Sequence, residues 1–178
     1  MPPEVFDLGR IRLRRPVADD ALAIYEYGSD PEVARYADWP VRTTIEPLIE
    51  SLRSRTAQWE SGEAYNWVIT IPSLDRAIGG IACRVDRHAA EVGFLLHRRY
   101  WGQGFATTAT RAVVEWALSD PSIWRVWATC DTENTASARV LEKCELRREG
   151  TLRRFAVRPA LSRIPRDAFL YARVRGVT

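Results

Sequence analysis

Lysine is almost missing from this 178-residue chain: of its 26 basic residues, all but Lys143 are arginine. Set against 23 acidic residues, they leave a net charge of only +3, too small an excess to argue for nucleic acid by itself. Cysteine and histidine are scarce as well. Cys83, Cys130 and Cys144 are odd in number and show no C-x-x-C spacing, and His88 and His97 stand in no ligand pattern. Neither a disulfide framework nor a bound metal is indicated. No apolar run approaches the ~20 residues that span a bilayer, and the opening "MPPEVFDLGRIRLRRP" lacks the apolar core of a signal peptide. These shortages read as a soluble, cytoplasmic protein without a membrane partner.

What is there is ordinary globular material, 46% hydrophobic and 28% charged, enough to bury a sizeable core in one domain spanning residues 1–178. Nine arginines lie from Arg147 to Arg175 against only Glu149 and Asp167. Arginine forks phosphate well, but a solvated basic face is the plainer reading, and no aromatic-interleaved motif argues for nucleic acid.

Periodicity gives the organisation. A short strand around "RIRLRRP" precedes a helical stretch carrying Ala21, Ile24 and Tyr25. A longer helix is expected from about Thr44 to Trp59, with Leu48, Ile49, Leu52 and Ala57 inward and Gly62 closing it. Then come three strands, "AYNWVIT", "AIGGIACRV" and "AEVGFLLH", whose connections are too short for crossover helices and therefore make antiparallel hairpins. From Phe105 the period turns helical, with Ala109, Ala112, Val113, Trp116 and Ala117 on one stripe, until Asp120 and Pro121 end it. A buried strand "WRVWATC", a helix within "DTENTASARVLEKC" and two terminal strands complete a mixed α/β chain.

Gly102 and Gly104 sit at the entrance of the Phe105 helix, where glycine is a poor helix former. A strand end, a glycine loop and an immediate helix make an anion site, because the first helical N–H groups have no internal partners and the helix dipole adds positive charge. Arg98 and Arg99 just upstream would neutralise a phosphate. A tight turn that merely needs glycine is the competing reading. A dinucleotide fingerprint fails because residue 107 is Thr107, and a Walker loop fails for want of Gly-Lys-Ser/Thr.

Over nearly its whole length the chain resembles the GNAT N-acetyltransferases of the RimJ/RimL type. The resemblance rests on "IRLRRPVADDALAIYEYGSDPEVARY", "EVGFLLHRRYWGQGFAT", "DTENTASARVLEKCELRREG" and "PRDAFLYA", in that order, with Arg99, Gly102 and Gly104 matching the Arg-x-x-Gly-x-Gly pattern. It implies an α/β GNAT fold: a mixed, mostly antiparallel twisted sheet flanked by helices, splayed between the fourth and fifth predicted strands, "EVGFLLH" and "WRVWATC". It implies acetyl-CoA as co-substrate, no metal, and direct transfer to a primary amine, on a protein N-terminus or a small molecule. Relatives of this type are often dimers, so a homodimer is an expectation by analogy.

The same resemblance assigns residues. The amides of Gly102, Gln103, Gly104, Phe105 and Ala106 take the CoA pyrophosphate, and the main chain of Leu95, Leu96 and His97 takes the pantetheine arm as an added strand. Asn134 contacts pantetheine, although a helix cap is the local reading. Ser137 is a donor to the departing sulfur, or else a small helix residue. Glu91 is the base, or else a strand-end ion pair. His97 reads as a bystander and Tyr171 as packing. Tyr36, Trp39 and Trp59 are candidates for the acceptor pocket, although such aromatics are more often core. One departure stands out: "AVRPALSRIPRD" makes a longer connection between the last two strands than relatives have. A CoA-binding module without catalysis would need the glycine loop but neither Ser137 nor Glu91.

Overall fold

The computed structural model describes residues 2–176. Eight strands form one sheet in the order β1-β2-β3-β4-β5-β6-β8-β7. They are β1 (Val5–Asp7), β2 (Arg12–Arg14), β3 (Ala64–Thr70), β4 (Ala77–Asp86), β5 (Ala89–Leu96), β6 (Arg125–Asp131), β7 (Arg147–Arg158) and β8 (Ser162–Val174). Helices α1 (Ala21–Gly28), α2 (Pro31–Ala34) and α3 (Glu46–Ser61) lie between β2 and β3; α4 (Phe105–Ser119) and α5 (Thr135–Lys143) flank β6. Every neighbouring pair is antiparallel except β5 and β6, which α4 connects as a crossover. The three central strands are hairpins as expected. The predicted first strand is β2, and β1 is an addition that moves the predicted fourth and fifth strands to β5 and β6.

Two apolar clusters hold the layers. One joins Ile81, Cys83, Ala90 and Val92 of the sheet to Phe105, Ala109, Val113 and Ala117 of α4. The other joins Val68 and Ala77 to Ile24 and Tyr27 of α1 and Leu48 and Leu52 of α3. Thus β4 is covered on both faces. The inward stripe of α3 differs from expectation: Ile49 and Ala57 are exposed, while Leu48, Leu52 and Trp59 are buried, because the stripe advances by four, three and four residues rather than through adjacent positions. Gly62 ends α3 in the left-handed region at φ 76°, as its position demands. The long connection between the last strands is mostly strand: β7 and β8 extend to Arg158 and Ser162, leaving only residues 159–161 as the turn. The three cysteines are free and buried, and burial pushes the Cys130 and Cys144 thiols up to about 11. No helix among the described residues is long and apolar enough to cross a membrane.

Candidate active site

The sheet opens along β5. Its pairing with β4 runs from Ala89 to Leu96, whereas its parallel pairing with β6 stops after Ala89, Ala90 and Glu91, opposite Arg125, Val126 and Trp127. Beyond that rung β6 stays with β8, so the two strands diverge and leave a slot with an unpaired edge on β5. Strand alternation decides which groups face it. The His97 N–H donates to the Ile78 carbonyl at 2.8 Å, and the Leu95 carbonyl lies against Gly79; both belong to the β4 side. The Leu96 main chain, and by the same period that of Phe94, faces the slot. Three consecutive contacts from Leu95, Leu96 and His97 are therefore excluded by the two-residue period, and Leu96 is the one of the three on the slot edge. Its carbonyl accepts from the Trp101 indole N–H at 2.8 Å, leaving its N–H toward the slot.

The slot leads into the glycine loop. Gly102 and Gly104 have φ of 74° and 83°, left-handed conformations that disfavour any residue with a Cβ, and nothing lies within 4 Å of where either Cβ would be. The glycines thus answer a backbone demand while leaving the approach open. The first hydrogen bond of α4 is Thr108 N–H to the Gly104 carbonyl at 2.9 Å. The six preceding main-chain N–H groups, from residue 102 to residue 107, find no acceptor among the described residues. A run of free donors at a helix entrance fits a pyrophosphate.

The cations around this loop differ from the sequence reading. Arg98 is committed to Asp30 at 3.1 Å, whereas Arg99 is exposed and has no carboxylate partner among the described residues. Arg10, which nothing in the local sequence marked, reaches the loop from the β1–β2 turn: its guanidinium lies 4.8 Å from the Phe105 ring centre and donates to the Gln103 carbonyl at 3.4 Å. Gln103 folds its side-chain amide back onto the Arg99 carbonyl at 3.2 Å. His97 is structural, its Nδ1 accepting the Arg99 N–H at 3.1 Å and its Nε2 lying 3.6 Å from Glu26.

The far wall of the slot ends at α5. Asn134 caps that helix, its Oδ1 accepting the Ser137 N–H at 3.1 Å, which leaves its side-chain NH₂ free. The Ser137 hydroxyl, half-buried in the first turn, has no protein partner among the described residues. Asp131 builds this entrance. It accepts the Glu133 N–H at 3.0 Å and two bonds from Arg166 at 2.7 and 3.1 Å, and its carbonyl accepts the Asn134 N–H. Burial alone would raise the Asp131 carboxyl, but the Arg166 fork, the Glu133 N–H and nearby Arg158 outweigh it and hold it below the usual range. Arg166 belongs to the "PRDAFLYA" stretch, so that motif acts by bracing the Asn134 turn. An open groove of about 630 Å³ flanks this brace, lined by Thr132, Arg153, Arg154 and Arg166.

Glu91 occupies the last paired rung before the splay and is half-buried; Arg84 on the adjacent strand lies 3.4 Å from its carboxylate. Tyr171 is buried and donates to Glu142 at 3.0 Å; burial, reinforced by Glu142, pushes its phenol up to about 12. It packs, as read. Trp59 lies in the core edge-on to Tyr65 and Trp67. Tyr36 instead reaches the α5 entrance, 3.5 Å from the Glu133 carbonyl, and Trp39 is half-buried beside Arg42. Among the described residues no three His, Cys, Asp or Glu side chains are placed to hold a metal.

A splayed parallel pair and a free-amide loop at the next helix are the features to compare with known proteins. The family model of the acetyltransferase (GNAT) domain matches residues 10–147. The chain belongs to the GNAT acetyltransferase family. As such it is an acetyl-CoA-dependent acyltransferase. Among its relatives is the uncharacterized N-acetyltransferase p20 of Bacillus licheniformis, 28% identical over 147 residues that cover 81% of this chain and 83% of the relative. A GNAT-family acetyltransferase structure from Bacillus anthracis superposes with a TM-score of 0.83 at 26% identity, covering 96% of this acetyltransferase and 98% of that chain. The ribosomal L7/L12 alpha-N-protein acetyltransferase RimL, solved with coenzyme A, shares the fold with a TM-score of 0.85 at 20% identity, covering 96% and 98% of the two chains.

Proposed function

We propose that this acetyltransferase moves the acetyl group of acetyl-CoA to a primary amine, on a protein N-terminus or a small molecule, by direct attack in a ternary complex. The observation that carries the reading is the run of six unpartnered N–H groups at residues 102–107, placed where the open edge of β5 ends. When bound, acetyl-CoA supplies a thioester carbonyl activated for attack.

The chain's own residues do the rest. Gly102, Gln103, Gly104, Phe105 and Ala106 donate main-chain N–H groups to the pyrophosphate, with Arg99 and Arg10 supplying positive charge beside them. Leu96, joined by Phe94, offers its slot-facing main chain to the pantetheine arm, and the free NH₂ of Asn134 closes on that arm from the opposite wall. This directs the thioester toward the vertex of the splay, at the Glu91 rung. Glu91 accepts the proton that the attacking amine loses, directly or through one water. Ser137 donates its hydroxyl hydrogen to the sulfur as negative charge develops there, a bond that strengthens in the transition state.

The test is a thiol-release assay of acetyl-CoA against peptide N-termini, polyamines, amino acids and aminoglycosides. Amine-dependent release with one class supports transfer and names the acceptor. Tight binding of acetyl-CoA with no release across the panel would make the protein a binding module.

A further inference from the structure

The inward stripe of α3 reads Leu48, Leu52, Arg55, Trp59, so a guanidinium stands where the spacing calls for an apolar side chain. Arg55 is half-buried, and no carboxylate pairs with it among the described residues. Arg42 approaches from the segment between α2 and α3 and packs against α1, its Cδ 2.9 Å from where a Gly28 Cβ would be. It too lacks a carboxylate partner, and it lies 5.5 Å from the centre of the Trp39 ring. Between the two arginines, Tyr27 is 2% exposed, and its hydroxyl has no hydrogen-bond partner among the described residues. The Trp39 indole N–H is a further buried donor without an acceptor.

The acids nearby are already engaged. Asp20, the one that acts on Tyr27, is held by Arg14 through two bonds of 2.8 Å. Glu26 is paired with Arg76, and Glu91 with Arg84. Burial depresses both guanidinium pKa values, and Arg42 further disfavours the charge on Arg55. Two cations thus lie about the Tyr27 hydroxyl with no carboxylate, and the Trp39 indole beside Arg42 lacks an acceptor, an arrangement that a fold pays for unless a ligand completes it.

The position of this cluster relates it to the reaction. A Gly80 Cβ would lie 3.9 Å from the Tyr27 hydroxyl, so the cluster covers the sheet face that carries Gly80, Ala82 and Arg84 on β4. Their partners on β5 are Leu95, Gly93 and Glu91. The face is therefore shared with Glu91, and its floor between the two is glycine and alanine; a Cβ at Gly93 would meet nothing within 4 Å. Glu91 lies four residues along β5 from Leu95, the partner of Gly80, a span of about 13–14 Å at 3.4 Å per residue. A molecule the length of a short peptide bridges that span.

We propose that the acceptor carries an oxyanion, a carboxylate or a phosphate, on the same molecule as its amine, and that Arg42, Arg55 and the Tyr27 hydroxyl hold it. Arg42 and Arg55 neutralise the group, Tyr27 and the Trp39 indole donate to it, and the amine then points along the glycine floor toward Glu91. The inference rests on the acetyl-transfer reading and gives it a substrate class.

Calorimetry tests it on protein saturated with coenzyme A, so that the amide loop is filled and cannot take the added anion. Inorganic phosphate and glutarate are titrated separately into the wild type, Arg55→Gln and Arg42→Gln, and thiol release is compared for the peptides Gly-Gly-phosphoserine against Gly-Gly-Ser and for Gly-Gly-Glu against Gly-Gly-Gln. The expected result is binding of at least one anion that both variants lose. The anionic member of the matching amine pair should be preferred at least tenfold in kcat/KM, a preference that Arg55→Gln removes while coenzyme A affinity is unchanged. Whether phosphate or glutarate binds decides which oxyanion is meant. Normal coenzyme A binding with no anion binding, or with anion binding equal in the variants, or with the neutral amine preferred, overturns the inference and leaves acetyl transfer standing. Failure of the wild type to bind coenzyme A removes both.

Discussion

Gly104→Asp separates the amide loop from the rest of the molecule. At φ 83° a residue with a Cβ is strained by about 1–2 kcal/mol, and a carboxylate at a helix entrance returns about 0.3–1 kcal/mol through the dipole. Because the added Cβ meets nothing within 4 Å, no neighbour has to move. The net loss of stability is about 1 kcal/mol, a fall in Tm of roughly 2–4 °C for a chain of this size. Cofactor binding should respond far more. A carboxylate about 4 Å from a phosphate charge, at an effective dielectric near 20, is repelled by about 4 kcal/mol, which corresponds to a loss in affinity of roughly a thousandfold. Calorimetry with acetyl-CoA, beside thermal unfolding of the same samples, reads both effects. A folded variant that keeps wild-type affinity would refute the placement of the pyrophosphate.

Other perturbations divide the remaining roles. Ser137→Ala removes a hydroxyl with no protein partner, so turnover should fall by roughly ten- to a thousandfold while stability and acetyl-CoA affinity hold; Asn134→Ala should instead weaken cofactor binding and cost about 1 kcal/mol of helix start. Full turnover of the serine variant with a verified acceptor would return Ser137 to a structural role. Glu91→Gln should slow the reaction at neutral pH, with a deficit that shrinks as pH rises and more of the amine arrives deprotonated; a pH–rate profile matching the wild type would assign Glu91 to its pair with Arg84. Asp131→Asn breaks a buried pair and should cost about 3 kcal/mol at neutral pH. Because the folded Asp131 carboxyl lies below its usual value, its contribution is present above about pH 4 and is lost as pH falls through the folded value. The gap in Tm between wild type and variant should therefore narrow as pH falls below about 4, and a gap independent of pH would contradict the electrostatic cause.

The parts of this site set by local chemistry were legible in the sequence. Two glycines at a helix entrance pointed to amides open to an anion or to a tight turn, and the left-handed φ of Gly102 and Gly104 with open space at both answers each reading. Asn134 before a helical stretch meant a cap, and its Oδ1 performs that role. Parts set by pairing across the chain were hidden. Arg10 reaches Gln103 across 93 residues of sequence, and Asp131 finds Arg166 across 35. Which of Leu95, Leu96 and His97 faces the slot depends on the register with β4, fixed by the Ile78 carbonyl, and a run of apolar residues carries no mark of its edge. Arg55 gave no signal either, because a charged residue inside a polar helix looks like surface until the stripe through Leu48, Leu52 and Trp59 is known.

The most direct measurement is a two-dimensional amide NMR titration of the ¹⁵N-labelled protein with coenzyme A. The account predicts that the N–H resonances of residues 102–106 move downfield as they gain phosphate acceptors, together with that of Leu96, while those of Leu95 and His97, on the β4 side, move little. Saturation of binding with the 102–106 amides unmoved would contradict it.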